Sequence, residues 1–297
     1  MHPPKPIIKV HRLRIFSDRN RPVHLGPFPL ERLARLDPGQ MPDLARVPRF
    51  QPLDFRRPDT PHSIVNAMGE YQAMMDAIRD GLVNKTKSSG PSDQGERANH
   101  IKSFGYFSDA AMVGISGLPA SAHLETPVRN PDIDRLAHDL QTRQTKTLAS
   151  GIDLIMADLK DAMQAPPATI AAHTNAITLL FDMPRDPRGD EPGIDWLADA
   201  QAHRACLRAS EAAVVLANYL RLLGWDAKAH SATSSDVDLN QLAVSAGLAM
   251  VEQGQLTNPY LGTRFGLAVV TTTYDLAHDA PLAPSHDQPR TRTHGVS

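Results

Sequence analysis

The sequence predicts an α+β or mixed α/β protein in which helices outweigh strands. Three observations lead there. Hydrophobic residues make up 41% of the 297 residues but aromatic ones only 5%. Core volume must therefore come from Ala, Leu, Ile, Val and Met, which suits helices packed on a modest sheet. The periodic segments read helix, helix, short strand, long helix, strand, helix, strand, helix, strand. Finally, AITLLFDM (176–183) is a continuous apolar run without helical period, the pattern of a buried strand.

Residues 1–62 form an extended basic arm. They hold 12 of the 25 prolines, and twelve Lys and Arg face six acids, a net charge of +6. Proline at that density blocks long helices and central strands. Alternation from Ile8 to Phe16 allows one edge strand. The arm is either a wrap over the domain surface or a docking arm for an acidic partner. His62 to Val83 reads as a helix with a stripe at Asn66, Met68, Tyr71, Met74, Met75 and Ile78, closed by Gly81. KTKSSGPSDQ (85–94) is a polar linker. A short helix over Glu96–Phe104 is broken by Gly105 and leads to a strand ending near Ser116, after which residues 118–131 read as loop.

Asn130 to Met163 carries the longest helical pattern. Gly151 inside it costs about 1 kcal/mol relative to alanine, which marks a bend or break. After the strand at 176–183 comes a charged turn, then a helix from Ile194 with Trp196 as its anchor. The stretch Arg204–Pro284 carries most of the functional information. Its first helix ends at Gly224 in a left-handed cap, WDAKAH follows as a short strand, and Asp236 and Asp238 precede the next helix as caps. Gly247, Gly254, Gly262 and Gly266 then lead into an apolar strand. Such a loop either lets backbone approach a flat cofactor or simply needs positive φ angles. The tail 285–297 lacks apolar periodicity and is expected to be disordered.

The net charge of −2 gives no reason to expect nucleic acid or an anionic membrane as partner. No apolar run is long enough to span a bilayer, and no export signal is read, so a cytoplasmic location is expected. The single cysteine, Cys206, cannot make an internal disulfide, a four-cysteine zinc site or an iron–sulfur cluster. His123, His138, His173, His203 and His230 show no metal-ligand spacing, and no metal site is expected.

LANYLRLLGWDAKAH, followed by LNQLAVSAGLAMVEQGQLTNPYLGTRFGLAVVTTTYDLAHDAPL, resembles the corrinoid-dependent reductive dehalogenases and their relatives the epoxyqueuosine reductases. IKSFGYFSDAAMVGIS resembles an earlier segment of that family, so the likeness runs over residues 62–284. It implies an α+β, nitroreductase-like fold: a mixed sheet wrapped by helices, over 63–284, behind the Pro-rich arm. The arm resembles that of the long, non-exported catabolic type. Where the family continues into CxxCxxCxxxCP this sequence has APSHDQPRTRTHGVS, AGLAM stands for AGLG, and TYDLAHDAPL departs from TDLPL. The resemblance therefore implies a degenerate N-terminal module of an enzyme that removes halide reductively from an organohalide, expected to be aromatic. Its expected partner is a corrinoid- and iron–sulfur-bearing domain or downstream chain. The alternatives are a stand-alone corrinoid- or flavin-binding domain fed by a partner, and a purely structural interaction subunit. For a bound cofactor, the candidates are Gly247, Tyr260, Gly262, Arg264 and Gly266, with Tyr106 as candidate acid near the ligand or a core aromatic with one hydrogen bond.

Overall fold

The computed structural model describes residues 21–142 and 169–288. In chain order its elements are α1 (Ile64–Ala77), α2 (Gln94–Phe107), β1 (Met112–Gly117), β2 (His123–Val128), α3 (Asp132–Thr142), β3 (Asn175–Asp182), α4 (Ile194–Leu197), α5 (Gln201–Leu222), β4 (Ala227–His230), β5 (Ser235–Val237), α6 (Leu239–Ser245), β6 (Met250–Glu252), β7 (Gln255–Thr257) and β8 (Phe265–Thr272). The fold is α+β, as the sequence predicts. Its central sheet has the order β1-β3-β8-β4. In detail every pair in it is antiparallel, where a mixed sheet was expected.

The run 176–183 is apolar from Ala176 to Phe181, Thr178 excepted, because that part of β3 is buried on both faces. Ile177, Leu179 and Phe181 pack with α2 and α5. Ala176 and Leu180 pack with Leu239 and Leu242 of α6 on the other side. Leu179 and Leu180 are both fully buried, and each contributes about 1.5–3 kcal/mol of transfer free energy. Two cores thus flank one sheet, one under α2 and α5 and one under α6.

The stop at Gly224 and the cap at Asp238 follow the sequence, whereas Asp236, also expected as a cap, lies in β5 and pairs with Arg79 and Lys228 instead. Gly224 (φ 86°) ends α5. Its N–H donates to Arg221 and that of Trp225 to Leu220, which satisfies two of the last carbonyls. Asp238 caps α6, accepting from the N–H groups of Asn240 and Gln241.

Several expectations are corrected. α1 ends at Ala77, ahead of Gly81, and its buried face is Val65, Gly69, Gln72, Ala73, Asp76 and Ala77. The expected stripe is offset from it, and Tyr71 is 59% exposed. Buried polar partners for Gln72 and Asp76 let polar residues occupy the inner face, which no apolar pattern reveals. Gly105 lies inside α2 rather than ending it. The segment read as loop contains β2, which pairs with β5. Trp196, the expected anchor, is 62% exposed. The edge strand at Ile8–Phe16 and the pattern beyond Thr142, including Gly151 and Met163, lie outside the described residues.

The described part of the arm has only short 3-10 turns, consistent with its prolines. It is stitched to the core by backbone hydrogen bonds, Leu36 N–H to Pro281, Ala283 N–H to Ala34, and Leu53 N–H to Ala232. Leu33, Val47 and Phe55 are buried. At the other end order continues past Pro284. Ser285–Asp287 form a 3-10 turn, and the Gln288 amide bonds both the N–H and the carbonyl of Ala34.

Candidate functional site

The loop after α6 turns back on itself. Gly247 (φ 64°) follows the helix, β6 and β7 form a hairpin around Gln253 and Gly254, and Asn258 and Gly262 close a two-bond bridge. The Asn258 side chain holds this turn, accepting from the N–H groups of Tyr260 and Leu261 and donating to the Leu248 carbonyl. Positive φ at these glycines is therefore what the turns themselves need.

The structure brings Tyr106, Gly247 and Tyr260 under one stretch of the arm. Tyr260 donates its hydroxyl to the Pro29 carbonyl (2.9 Å) and packs against Phe28. Gly26 lies on the ring of Tyr106 so closely that a Cβ there would come within 2.2 Å of it. Arg35 Nη1 donates to the carbonyls of Gly247 (2.7 Å) and Ala280 (2.8 Å). Arg21 folds the arm segment, donating to the carbonyls of Gly26, Leu25 and Phe28 and pairing with Glu31. Arg264 and Gly266 are directed elsewhere. Arg264 donates to the carbonyls of Met183 and Pro184 and pairs with Asp186, and Gly266 of β8 lies against Ala205 of α5.

Between arm and core is a cavity of about 310 Å³ lined by Arg35, Lys102, Tyr106, Leu248, His278 and Asp279, among others. Lys102 Nζ sits 2.6 Å from Asp279, whose other oxygen accepts the Ile115 N–H. Tyr106 is 3% exposed, and its hydroxyl accepts the Val113 N–H at 3.3 Å. Burial raises the tyrosine's pKa well above its ordinary value, so the hydroxyl stays protonated and, while accepting from Val113, still carries a proton to donate. The AHD of 277–279 is legible in the sequence as a departure from the family's pattern. Nothing in the sequence connects it with Arg35 and Lys102, which come from the arm and α2.

A corrin ring does not fit the loop as folded. A single Cβ on Gly247 would already sit 1.9 Å from Arg35 Nη1 and 2.3 Å from the Ala280 carbonyl. The cavity beside it is at the lower end of the range for small-ligand pockets, about 300–1,000 Å³.

Two polar clusters escaped the sequence reading. The fully buried Asp76 accepts from Gln72, Ser231, Asn130 and Thr233, joining α1 to the turn after β4. Cys206 lies beside it, its thiol pushed up to about 12 by burial and by the Asp76 charge. A thiol so raised is an inert packing group. The second cluster joins β4 to its neighbours. Lys228 and Arg79 both pair with Asp236, and His230 and His173 both meet the Thr271 hydroxyl. Among the described residues no group of three or more His, Cys, Asp or Glu is arranged to hold a metal.

No family model matches the sequence, and no curated protein does. Solved structures do match. The chain is similar to the catabolic reductive dehalogenase NpRdhA, with 31% identity and a TM-score of 0.67 over 91% of this chain and 32% of that one. A structure described as suggesting a mechanism for B12-dependent dehalogenation matches at 32% identity and a TM-score of 0.67, over 91% of this chain and 32% of that one. A complex of NpRdhA with 3-bromo-4-hydroxybenzoic acid matches at 32% and 0.65, over 89% and 31%. The epoxyqueuosine reductase from Streptococcus thermophilus, at 11% identity and a TM-score of 0.37 over 62% of this chain and 48% of that one, is too distant to carry an argument. The chain spans about a third of the length of the dehalogenases it matches.

Proposed function

Since the chain belongs to the reductive dehalogenase family, we propose that it is a scaffold module of such an enzyme, without a corrinoid of its own. It packs against a corrinoid- and iron–sulfur-bearing portion that removes halide reductively from an organohalide. The complex of a relative with a brominated hydroxybenzoic acid supports an aromatic substrate for the intact enzyme. A cytoplasmic location is part of this reading.

The observation that carries it is the seating of Arg35 on Gly247. The arm takes the approach that the glycine loop would offer to a flat cofactor. A docking face supports the second half. On α5, Val215, Tyr219 and Leu222 are exposed along one stripe, with Leu222 62% exposed. The rings of Phe104 and Tyr219 stack at 6.0 Å, and Arg208 pairs with Asp109 just past the end of α2. Phe107, between Phe104 and Asp109 in sequence, is 85% exposed. Large exposed apolar side chains on two helices in contact suit an interaction surface.

Two measurements test the reading. Addition of hydroxocobalamin or FMN to the purified chain is expected to leave the visible spectrum of the free cofactor unchanged, and a bound-cofactor spectrum overturns the scaffold assignment. Co-expression with the remaining two thirds of a catabolic reductive dehalogenase is expected to give a complex that Phe107→Glu with Leu222→Glu abolishes. A complex that survives both changes overturns the docking face.

A further inference from the structure

The cavity between arm and core has in its wall a guanidinium with no carboxylate partner among the described residues, that of Arg35. Glu31 is matched by Arg21, with Nη1 and Nη2 at 2.9 and 3.0 Å from its two oxygens. Asp279 is matched by Lys102 at 2.6 Å and by the Ile115 N–H at 2.8 Å. Arg35 donates only to carbonyls, those of Gly247, Ala280 and Leu30, and no carboxylate of the described residues lies within hydrogen-bond distance of it. Asp279 acts on it electrostatically but is shared with Lys102. The wall holds two cations, Arg35 and Lys102, and two anions, Glu31 and Asp279; since Arg21 pairs with Glu31 and Lys102 with Asp279, Arg35 is the cation left without a carboxylate of its own.

A second group is also unspent. The Tyr106 hydroxyl accepts from Val113 and has no acceptor for its own proton among the described residues. A nearly buried donor without an acceptor carries a desolvation cost until a ligand supplies one. The apolar part of the wall is Leu25, Leu30, Val113 and Leu248, beside the polar His24, Glu31, Lys102, His278 and Asp279. A guanidinium without a carboxylate partner and a free hydroxyl donor in the wall of a space of about 310 Å³ suit a compact body bearing one negative group.

We propose that this cavity binds a small organic carboxylate, taken by Arg35 and the Tyr106 hydroxyl, with its apolar body against Leu25, Leu30 and Leu248. Leu25, Leu30 and Arg35 come from the arm, while Tyr106 and Leu248 belong to α2 and the loop after α6. The ligand therefore bridges arm and core and fastens the arm down. This goes beyond the scaffold reading and does not depend on it, because no corrinoid or partner chain takes part.

Calorimetric titration of the full chain with benzoate and with cyclohexanecarboxylate tests it. Benzamide serves as the neutral isostere and inorganic phosphate as the compact anion. Binding of at least one carboxylate is expected with a Kd of about 1 mM or tighter. Benzamide is expected to bind about tenfold or more weakly, for loss of the charge-assisted hydrogen bonds. Arg35→Gln is expected to weaken the carboxylate by a similar factor. Leu25→Trp fills the cavity from the arm side, leaves the Arg35 contacts in place and is expected to abolish binding. Benzoate is also expected to slow proteolysis within residues 21–62 of the unaltered chain. The proposal is overturned if neither carboxylate binds, if benzamide matches benzoate, if phosphate binds more tightly than either carboxylate, or if Leu25→Trp binds as the unaltered chain does. Failure here leaves the cobalamin and co-expression results untouched, so the two readings fail separately.

Discussion

His230 shows how one buried residue sets a pH dependence. Its Nδ1 accepts the Asp236 N–H, so the neutral ring carries its proton on Nε2 and donates to the Thr271 hydroxyl at 2.9 Å. Burial, and then the positive Arg79 beside it, depress its pKa well below the ordinary 6.5. Asp236 acts in the opposite sense, and Lys228 and His173 add to the depression. The folded state therefore refuses a proton that the unfolded chain accepts below pH 6.5. The contribution of His230 to stability is complete above that pH and is lost as pH falls below it, with a slope of up to about 1.4 kcal/mol per pH unit. His173 is depressed for the same first cause, burial, and adds to the trend. Urea denaturation at pH 7.5 and 5.5 is expected to show a loss on the order of 1 kcal/mol or more, and His230→Gln is expected to shrink that loss. Asp76, raised by burial, titrates with the opposite sign, so the comparison with the variant isolates the histidine. An equal loss in both proteins refutes the assignment.

At the scale of elements, α2 is where sequence and structure differ most usefully. Gly105 reads as a helix breaker, yet it lies in the last turn of α2, facing the sheet. A Cβ there would meet Val113 Cγ2 at 2.6 Å and Leu179 Cδ2 at 3.2 Å. The glycine is thus a seat for β1 and β3 under the helix, which propensity alone cannot tell from a stop. Gly105→Ala gains about 1 kcal/mol of helix propensity but overpacks a close contact, at a cost of about 1–3 kcal/mol. The net expectation is a lower thermal midpoint, with part of it restored in Gly105→Ala/Val113→Ala. A midpoint that rises on Gly105→Ala shows that β1 can give way. The same contrast governs what else was legible. The β3 run, the Gly224 stop and the Asp238 cap could be read because local chemistry determines them. The inner face of α1 could not, because Gln72 and Asp76 are buried only by virtue of Ser231, Thr233 and Asn130, distant in sequence. Tyr106 and Gly247 stand out in the sequence by residue type, but the arm that covers both has no pattern announcing where it lies.

For the whole molecule the question is whether the arm belongs to the folding unit or lies on it as a separate strap. Phe55 decides it. Its side chain is 4% exposed, meets the His203 ring edge-on at 4.9 Å, and packs with Val65 of α1 and Cys206 of α5. His203 Nε2 lies 2.9 Å from the Asp54 carbonyl, and the Leu53 N–H donates to Ala232. Arm, α1, α5 and the turn after β4 therefore share one small core next to the Asp76 cluster. If that core forms only with the rest, Phe55→Ala removes about 3–5 kcal/mol from the global stability rather than from a local one. Helical circular dichroism and tryptophan fluorescence are then expected to shift together to a lower urea midpoint, with unchanged slope. A strap would respond differently. The arm would become protease-sensitive while both midpoints stayed where they were, and the arm would be a detachable cover over a core stable without it. The backbone bonds of the arm at Ala34, Leu36 and Leu53 to segments as far apart as 232 and 283 favour the first outcome, since releasing any one of them strains the others.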